Sequence, residues 1–232
     1  MGRRAGEDPY HLDPRRDRLC LVQLSAGDGS AHCVQIVPEA LGGRGGDCPN
    51  LRALLADPAR IKLFHFARFD VAVLKHAFGV VTAPVYCTKI ASRLVRTFTD
   101  RHGLKYLLND LVGVDVSKQQ QTSDWGAEVL TDAQREYAAS DVLYLHALKA
   151  QLELRLVREG RLALAQARLG RVPTLAERLD DLGGQANAFT GEEVDARNNA
   201  DHDDQEEQDN AGVDTHLTPR RPNDFPHFGN NP

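Results

Sequence analysis

The sequence predicts an α/β fold, because segments with strand character alternate with segments that have helical spacing of apolar residues. Residues 19–25 and 31–37 flank a turn-rich connection, which predicts a β-hairpin. The short apolar runs 61–66 and 84–88 predict two further strands, each followed by a helical pattern. A chain of 232 residues with 41% hydrophobic content is long enough to bury one sizeable core.

The predicted helices follow from apolar spacing and from start and stop signals. Residues 49–56 predict a short helix that ends at Asp57 and Pro58. Thr131 and Gln134 have the spacing of a capping box, which marks the start of a long helix. The other predicted helices are 70–78, 89–98, 103–112, 132–160 and 161–167, with a further one over 173–182.

Three side chains are candidates for a catalytic site. Tyr137 and Asp141 are four residues apart, so they lie on one face of their predicted helix. Asp70 lies where a predicted strand passes into a predicted helix, which suits either a helix N-cap or a ligand presented above a sheet. Taken alone, the first pattern favours a solvated helix face and the second favours an N-cap. Together in one chain, they favour a metal-binding site.

Further motifs occur in a fixed order around these residues, and the whole set resembles the ribonuclease D-like 3′–5′ exonucleases. These enzymes form the tyrosine-bearing subgroup of the DEDD superfamily. Because several separated motifs match in order over roughly residues 15–181, the resemblance is specific. The matching segments are Leu-Cys-Leu-Val-Gln-Leu-Ser (19–25), Ile-Lys-Leu-Phe-His-Phe-Ala-Arg-Phe-Asp (61–70), Val-Tyr-Cys-Thr-Lys-Ile-Ala (85–91), His-Gly-Leu-Lys (102–105), Lys-Gln-Gln-Gln-Thr-Ser-Asp-Trp (118–125) and Tyr-Ala-Ala-Ser-Asp (137–141).

The resemblance implies a ribonuclease H-like fold with a mixed central sheet flanked by helices. It also implies hydrolysis of phosphodiesters at the 3′ ends of single-stranded RNA or DNA, with two Mg²⁺ or Mn²⁺ ions as cofactors. Asp70 and Asp141 would be metal ligands. Tyr137 would orient the attacking water, because a phenol with an ordinary pKa of about 10 is a poor base at neutral pH.

The resemblance and the basic residues together suggest contacts with the substrate. The predicted substrate-binding residues are His65, Lys89, Lys118 and Trp125. Trp125 suits stacking on a base, although a single tryptophan is more often a packing residue. Other candidate contacts with the phosphate backbone are Arg68, Arg93, Arg101, His102 and Lys105.

The sequence departs from the family at its first motif, an Asp-x-Glu on the first strand. Counted without gaps, the two acidic positions fall on Gly6 and Asp8, and the preceding residues do not form an apolar strand. Glu7 and Asp8 could supply a carboxylate, but they read more naturally as a loop. We therefore expect the first strand and its ligands to be missing and the activity to be reduced. The alternatives are an inactive nucleic-acid-binding remnant and a structural α/β module.

Charge and composition set the expected boundaries. Residues 180–232 carry 13 acidic residues and 3 arginines, whereas the rest of the chain carries 25 basic and 20 acidic residues. We expect an irregular N-terminus over 1–14, an exonuclease-like domain over 15–182 and a disordered acidic tail over 183–232. The sequence lacks an apolar run of membrane-spanning length, which predicts a cytoplasmic location. It does not indicate protein partners. Cys20, Cys33 and Cys87 are expected to be reduced core residues.

Overall fold

In the computed structural model, the described residues are 19–36, 48–117, 119–120 and 123–174, and strands alternate with helices along them. All of them lie in the first of the two units into which the chain divides. The four described strands are β1 (Leu21–Leu24), β2 (His32–Gln35), β3 (Lys62–Phe64) and β4 (Val85–Cys87). The seven described helices are α1 (Pro49–Ala56), α2 (Ala67–Phe78), α3 (Thr88–Val95), α4 (Leu104–Val112), α5 (Asp132–Leu143), α6 (Leu145–Arg158) and α7 (Leu162–Leu169).

The described strands pair in two ways, which confirms the α/β class. Strands β1 and β2 form an antiparallel hairpin in which Leu21 faces Gln35. Strands β3 and β4 are parallel, with Lys62 opposite Val85, and α2 provides the long crossover that parallel strands require. The prediction was one mixed sheet. Within the described residues, the antiparallel and parallel pairs are two separate two-stranded sheets.

The main hydrophobic core lies between the parallel strands and the helices α3, α4, α6 and α7. Leu148, Leu152 and Leu156 recur every four residues on α6 and are fully buried, as the apolar stripe of an amphipathic helix should be. Leu107 and Leu108 of α4 are also fully buried in this core. Truncation of a leucine in such a core to alanine costs about 2–5 kcal/mol. This core holds the parallel strands and the helices that follow them in one fixed arrangement.

The structure corrects several sequence-based expectations. The helix predicted over 89–98 already ends at Val95. The predicted helix 132–160 is interrupted at Tyr144, whose φ of −102° and ψ of 0° separate α5 from α6. The predicted helix from residue 70 begins earlier, at Ala67, so Asp70 is not an N-cap but lies in the first turn of α2. Cys33 is exposed because β2 is open to solvent along most of its length, so it is not a core residue.

The remaining expectations divide between confirmed and undescribed segments. The hairpin and the helices over 49–56, 103–112 and 161–167 are present, with ends shifted by at most two residues. Cys87 is buried and Cys20 is partly buried, and both are free thiols. The expected irregular N-terminus, the acidic tail and most of the predicted helix 173–182 lie outside the described residues. In the part of the chain that is described, no helix is both long and apolar enough to span a bilayer.

Candidate active site

Asp70 is presented by a short segment that joins β3 to α2. Phe66, the N-cap of α2, has a left-handed backbone with φ 62° and ψ 46° and makes no side-chain capping bond. The backbone N–H of Ala67 donates to the Sγ of Cys87 at 3.5 Å, which fixes the start of the helix against the end of β4. A carboxylate in the first helical turn also interacts favourably with the positive end of the helix dipole. The local fold therefore places Asp70 at the carboxyl end of β3.

Tyr137 and Asp141 lie together on α5. This helix begins with the predicted capping box, in which Gln134 N–H donates to Thr131 Oγ1 at 3.2 Å and Thr131 N–H donates to Gln134 Oε1 at 2.9 Å. The helix packs against both strands of the β1–β2 hairpin. Both candidate side chains are partly buried, so this face of α5 is turned towards the protein and is not a solvated surface.

The electrostatics place the three candidate side chains near one another. Burial raises the pKa of Asp70 to about 7, and the negative charge of Asp141 adds to this shift. Burial raises the pKa of Asp141 to about 6. Burial and the charge of Asp141 raise the pKa of Tyr137 to about 12. Because such charge effects act over short distances, the structure brings Asp70, Asp141 and Tyr137 into one site, although they lie up to 71 positions apart in the sequence.

This arrangement suits a hard divalent cation. Two partly buried carboxylates supply the oxygen ligands that Mg²⁺ and Mn²⁺ prefer, and burial, which raises both pKa values, opposes the charged forms that a bound cation would stabilise. Among the described residues, no group of three or more acidic, histidine or cysteine side chains could hold a metal. Glu7 and Asp8, the candidates for further carboxylates, lie outside the described residues. Two carboxylates alone offer little charge to hold two dications close together.

The predicted substrate-binding residues have different surroundings in the structure. His65 Nδ1 lies 2.9 Å from Thr88 Oγ1, and burial, with the nearby charges of Lys89 and His102, lowers its pKa to about 3. Lys89 is 8% exposed, and its Nζ lies 4.4 Å from the centre of the Phe66 ring. Both residues therefore lie beside the segment that presents Asp70. Lys118 lies outside the described residues.

The structure places Trp125 as a packing residue, and its role in base stacking stays an untested prediction. The side chain is only 2% exposed and packs in a small core with Leu21, Leu130 and Ala138. Its ring centre lies 5.9 Å from that of Tyr137. The packing alternative therefore applies, and Trp125 supports the face of α5 that carries the candidate site.

The other basic candidates have varied surroundings. His102 is buried, lies 2.9 Å from Ser92 Oγ through its Nδ1, and has a pKa lowered to about 4 by burial and by Arg93 and other nearby cations. The guanidinium of Arg101 lies 5.3 Å from the ring centre of Tyr106. The histidine is therefore neutral at physiological pH and contributes no charge for binding phosphate.

Two residues near this region were not predicted from the sequence. Phe66 carries an exposed ring directly before α2, and Arg96 is a buried cation at the end of α3. A backbone φ angle cannot be predicted from apolar periodicity. Only the position of Phe66 inside a family-like motif could have marked it as a candidate functional residue. Arg96 carried no sequence signal, because burial of an arginine depends on its tertiary partners.

Comparison with known proteins places these features in context. Residues 8–157 match the family described as 3′–5′ exonuclease. Ribonuclease D of Granulibacter bethesdensis is 38% identical over 145 residues, which cover 62% of this chain and 35% of that protein. Ribonuclease D of Acidiphilium cryptum is 40% identical over 144 residues, with the same coverage. The chain thus spans about a third of the length of these curated relatives.

Solved nuclease structures share the fold. NrnC of Brucella melitensis is similar with a TM-score of 0.71 and 55% identity, covering 78% of this chain and 86% of that chain. The same protein has been solved with bound Mg²⁺ and bound to pGG, with TM-scores of 0.69 and 0.70. These likenesses confirm the predicted ribonuclease H-like α/β fold.

Proposed function

Because this chain belongs to the 3′–5′ exonuclease family, we propose that it removes nucleotides from the 3′ ends of single-stranded RNA by hydrolysis. The resemblance to ribonuclease D-like enzymes, drawn from separated motifs, is confirmed by relatives with that name. The observation that carries the proposal is the meeting of Asp70, Asp141 and Tyr137 in one partly buried site on the shared nuclease fold.

The mechanism assigns a role to each of these side chains. Asp70 and Asp141 would hold the divalent cations, Mg²⁺ or Mn²⁺, and both carboxyls would have to be ionised to do so. When bound, such cations supply an activated water and stabilise the charge on the leaving 3′-oxygen. Tyr137 keeps its proton at neutral pH because its pKa is raised to about 12. Its hydroxyl therefore orients the water by hydrogen bonding and does not deprotonate it.

The number of carboxylates supports a second candidate, an RNA-binding protein of this fold with little or no catalysis. Within the described residues, Asp70 and Asp141 are the proposed metal ligands, and no group of three or more potential metal ligands is present. Reduced activity therefore stays a prediction. Metal titration by calorimetry separates the two candidates: the enzyme needs two binding sites for Mn²⁺, and the remnant would show one weak site or none.

The substrate range is also part of the proposal. We propose single-stranded RNA as the substrate because the curated relatives are named ribonuclease D, and DNA stays an alternative. We include pGG as a test substrate because the similar Brucella melitensis nuclease is bound to it. We place the activity in residues 15–182 and expect a cytoplasmic protein. A panel of RNA, DNA and pGG at matched concentrations would rank these substrates directly.

The decisive experiment compares two carboxylate substitutions on the same helix. The full chain is incubated with Mg²⁺ or Mn²⁺ and a 5′-labelled RNA oligonucleotide. Asp141→Asn should lower the rate at least about 100-fold, because it removes a metal ligand. Glu136→Gln is the matched control, since Glu136 is exposed on α5 and should leave the rate unchanged. No metal-dependent shortening from the 3′ end by the wild type would refute the enzyme proposal.

A further inference from the structure

Phe66 has an unusual backbone for its residue type. Among the described residues, it is the non-glycine residue with positive φ, at 62°. A bulky side chain is energetically unfavourable in this region, and such strain persists only where surrounding contacts impose it. A glycine or asparagine would adopt this conformation more easily. The phenylalanine side chain is therefore present despite a local energetic cost.

The neighbouring contacts hold this conformation in place. On one side of Phe66, His65 Nδ1 is 2.9 Å from Thr88 Oγ1, which also donates to the carbonyl of Phe64 at 3.3 Å. On the other side, the backbone of Ala67 donates to the Sγ of Cys87. The start of α3 thus fixes the backbone both before and after the strained residue.

The ring does not use this position to fill the core. It is 38% exposed, whereas Trp125 in the small core near Tyr137 is 2% exposed. The ammonium of Lys89 lies 4.4 Å from the ring centre, in the geometry of a cation–π contact that holds the ring from one side. Part of Phe66 remains open to solvent, four residues before the proposed metal ligand Asp70.

From this geometry we propose that Phe66 is a substrate-binding residue whose ring stacks on a nucleobase at the 3′ end of the RNA. The inference rests on the function proposed above and names the contact that recognises the base. Stacking is largely indifferent to base identity, because every nucleobase has a π-face. An exonuclease that removes successive nucleotides must accept each base in turn, so a stacking surface beside the metal ligands suits it better than a hydrogen-bonding pocket.

The test compares RNA oligonucleotides that carry a normal base or an abasic ribose at each of the last two 3′ positions. For the full-length wild type, removal of the stacked base should raise KM about tenfold, as expected for loss of one base–aromatic stack. Phe66→Leu should raise KM on normal RNA by a similar factor and have little effect on the abasic RNA. Phe66→Tyr should retain the wild-type KM.

Two further variants separate the ring from the strained backbone. Phe66→Gly removes the ring and relieves the strain, so it should raise KM as Phe66→Leu does while keeping or raising Tm. Phe98→Leu is the matched control, because Phe98 is 81% exposed beside Arg96 and lies on another segment. It should change neither KM nor Tm.

Binding measured without metal keeps the result separate from catalysis. Fluorescence anisotropy in EDTA gives the Kd of each RNA, and the same dependence on the base and on Phe66 is expected. If the wild type binds in this way but does not cleave, the proposed activity fails and the stacking proposal stands. The stacking proposal is overturned if Phe66→Leu binds as the wild type does, if it weakens normal and abasic RNA equally, or if the wild type binds no RNA.

Discussion

The molecule contains two polar regions of opposite electrostatic character, one partly buried and one fully buried. One is the acidic site formed by Asp70, Asp141 and Tyr137. The other is the polar ridge of α3, formed by three buried side chains spaced four residues apart, Thr88, Ser92 and Arg96. In the ridge, each side chain has a hydrogen-bonding partner: His65 for Thr88, His102 for Ser92, and Asp110 and the Arg101 carbonyl for Arg96.

The acidic site is organised differently. Its two carboxyls have raised pKa values because they are buried, and the charge of Asp141 further opposes ionisation of Asp70. Folding therefore places like charges together in a region of low polarity, which lowers stability at neutral pH. The difference is what our proposal expects: the ridge stabilises the fold, and the acidic site is the proposed cation site. The two regions should thus respond oppositely to substitution.

The largest contrast is expected from Asp70→Asn. It should lower nuclease activity at least about 100-fold through loss of a metal ligand. It should nevertheless raise the Tm of the metal-free protein at pH 8 by roughly a few degrees. The folded-state pKa of Asp70, about 7, exceeds the ordinary value of 3.8. The folded protein therefore loses stability as pH rises from about 4 to 7, and asparagine abolishes that loss.

The measurement is thermal unfolding in EDTA at pH 5, 6, 7 and 8, alongside the activity assay. The stabilisation by Asp70→Asn should shrink as the pH falls. Asp110→Asn is the matched control in the ridge, because it removes a carboxylate that accepts a hydrogen bond from Arg96 at 2.5 Å. It should lower Tm and leave the chemistry intact. A Tm for Asp70→Asn below that of the wild type at pH 8 would contradict the expectation that substitution stabilises the acidic site and destabilises the ridge.

A smaller effect, on stability alone, is expected from Arg96→Met. The guanidinium is almost fully buried and donates to the carbonyl of Arg101 at 3.1 Å and to Asp110. Its removal should lower the free energy of unfolding by about 2–3 kcal/mol, because charged hydrogen bonds in the interior are lost. Urea denaturation gives this value. Arg158→Met is the control, since its side chain is 74% exposed beside Glu159 and should cost less than about 0.5 kcal/mol. Equal costs would show that the ridge contributes no more than a surface pair.

The sequence predicted the parts of this comparison that depend on local pattern. Capping chemistry located the start of α5, and four-residue spacing placed Tyr137 and Asp141 on one face of it. Turn residues and apolar runs predicted the hairpin and the parallel strands. The resemblance to nucleases connected Asp70 with that distant helix, which no local pattern could have done.

Properties that depend on tertiary packing were not predictable. The break at Tyr144 has no glycine or proline to signal it, so periodicity alone extended α5 through to residue 160. The sequence is compatible with either packing or base stacking for Trp125, and only the small core around it in the structure favours packing. The sequence did not predict the polar ridge, because the hydrogen-bonding partners of its side chains lie on other elements. These partners come from the end of β3, from the segment after α3, and from α4. Thr88, Ser92 and Arg96 look like ordinary polar helix residues in the sequence.

The smallest difference is expected between two buried hydroxyls. Ser92→Ala removes the partner of the buried His102 and should lower the free energy of unfolding by about 1–2 kcal/mol, because the ring nitrogen loses its hydrogen bond. Thr82 is equally buried, but its Oγ1 has no hydrogen-bonding partner among the described residues. Thr82→Val preserves shape and should therefore be neutral or stabilising. Paired urea titrations at pH 7.5 measure both changes in the free energy of unfolding. A loss of stability from Thr82→Val as large as that from Ser92→Ala would show that hydrogen bonding of its side chains does not distinguish the ridge.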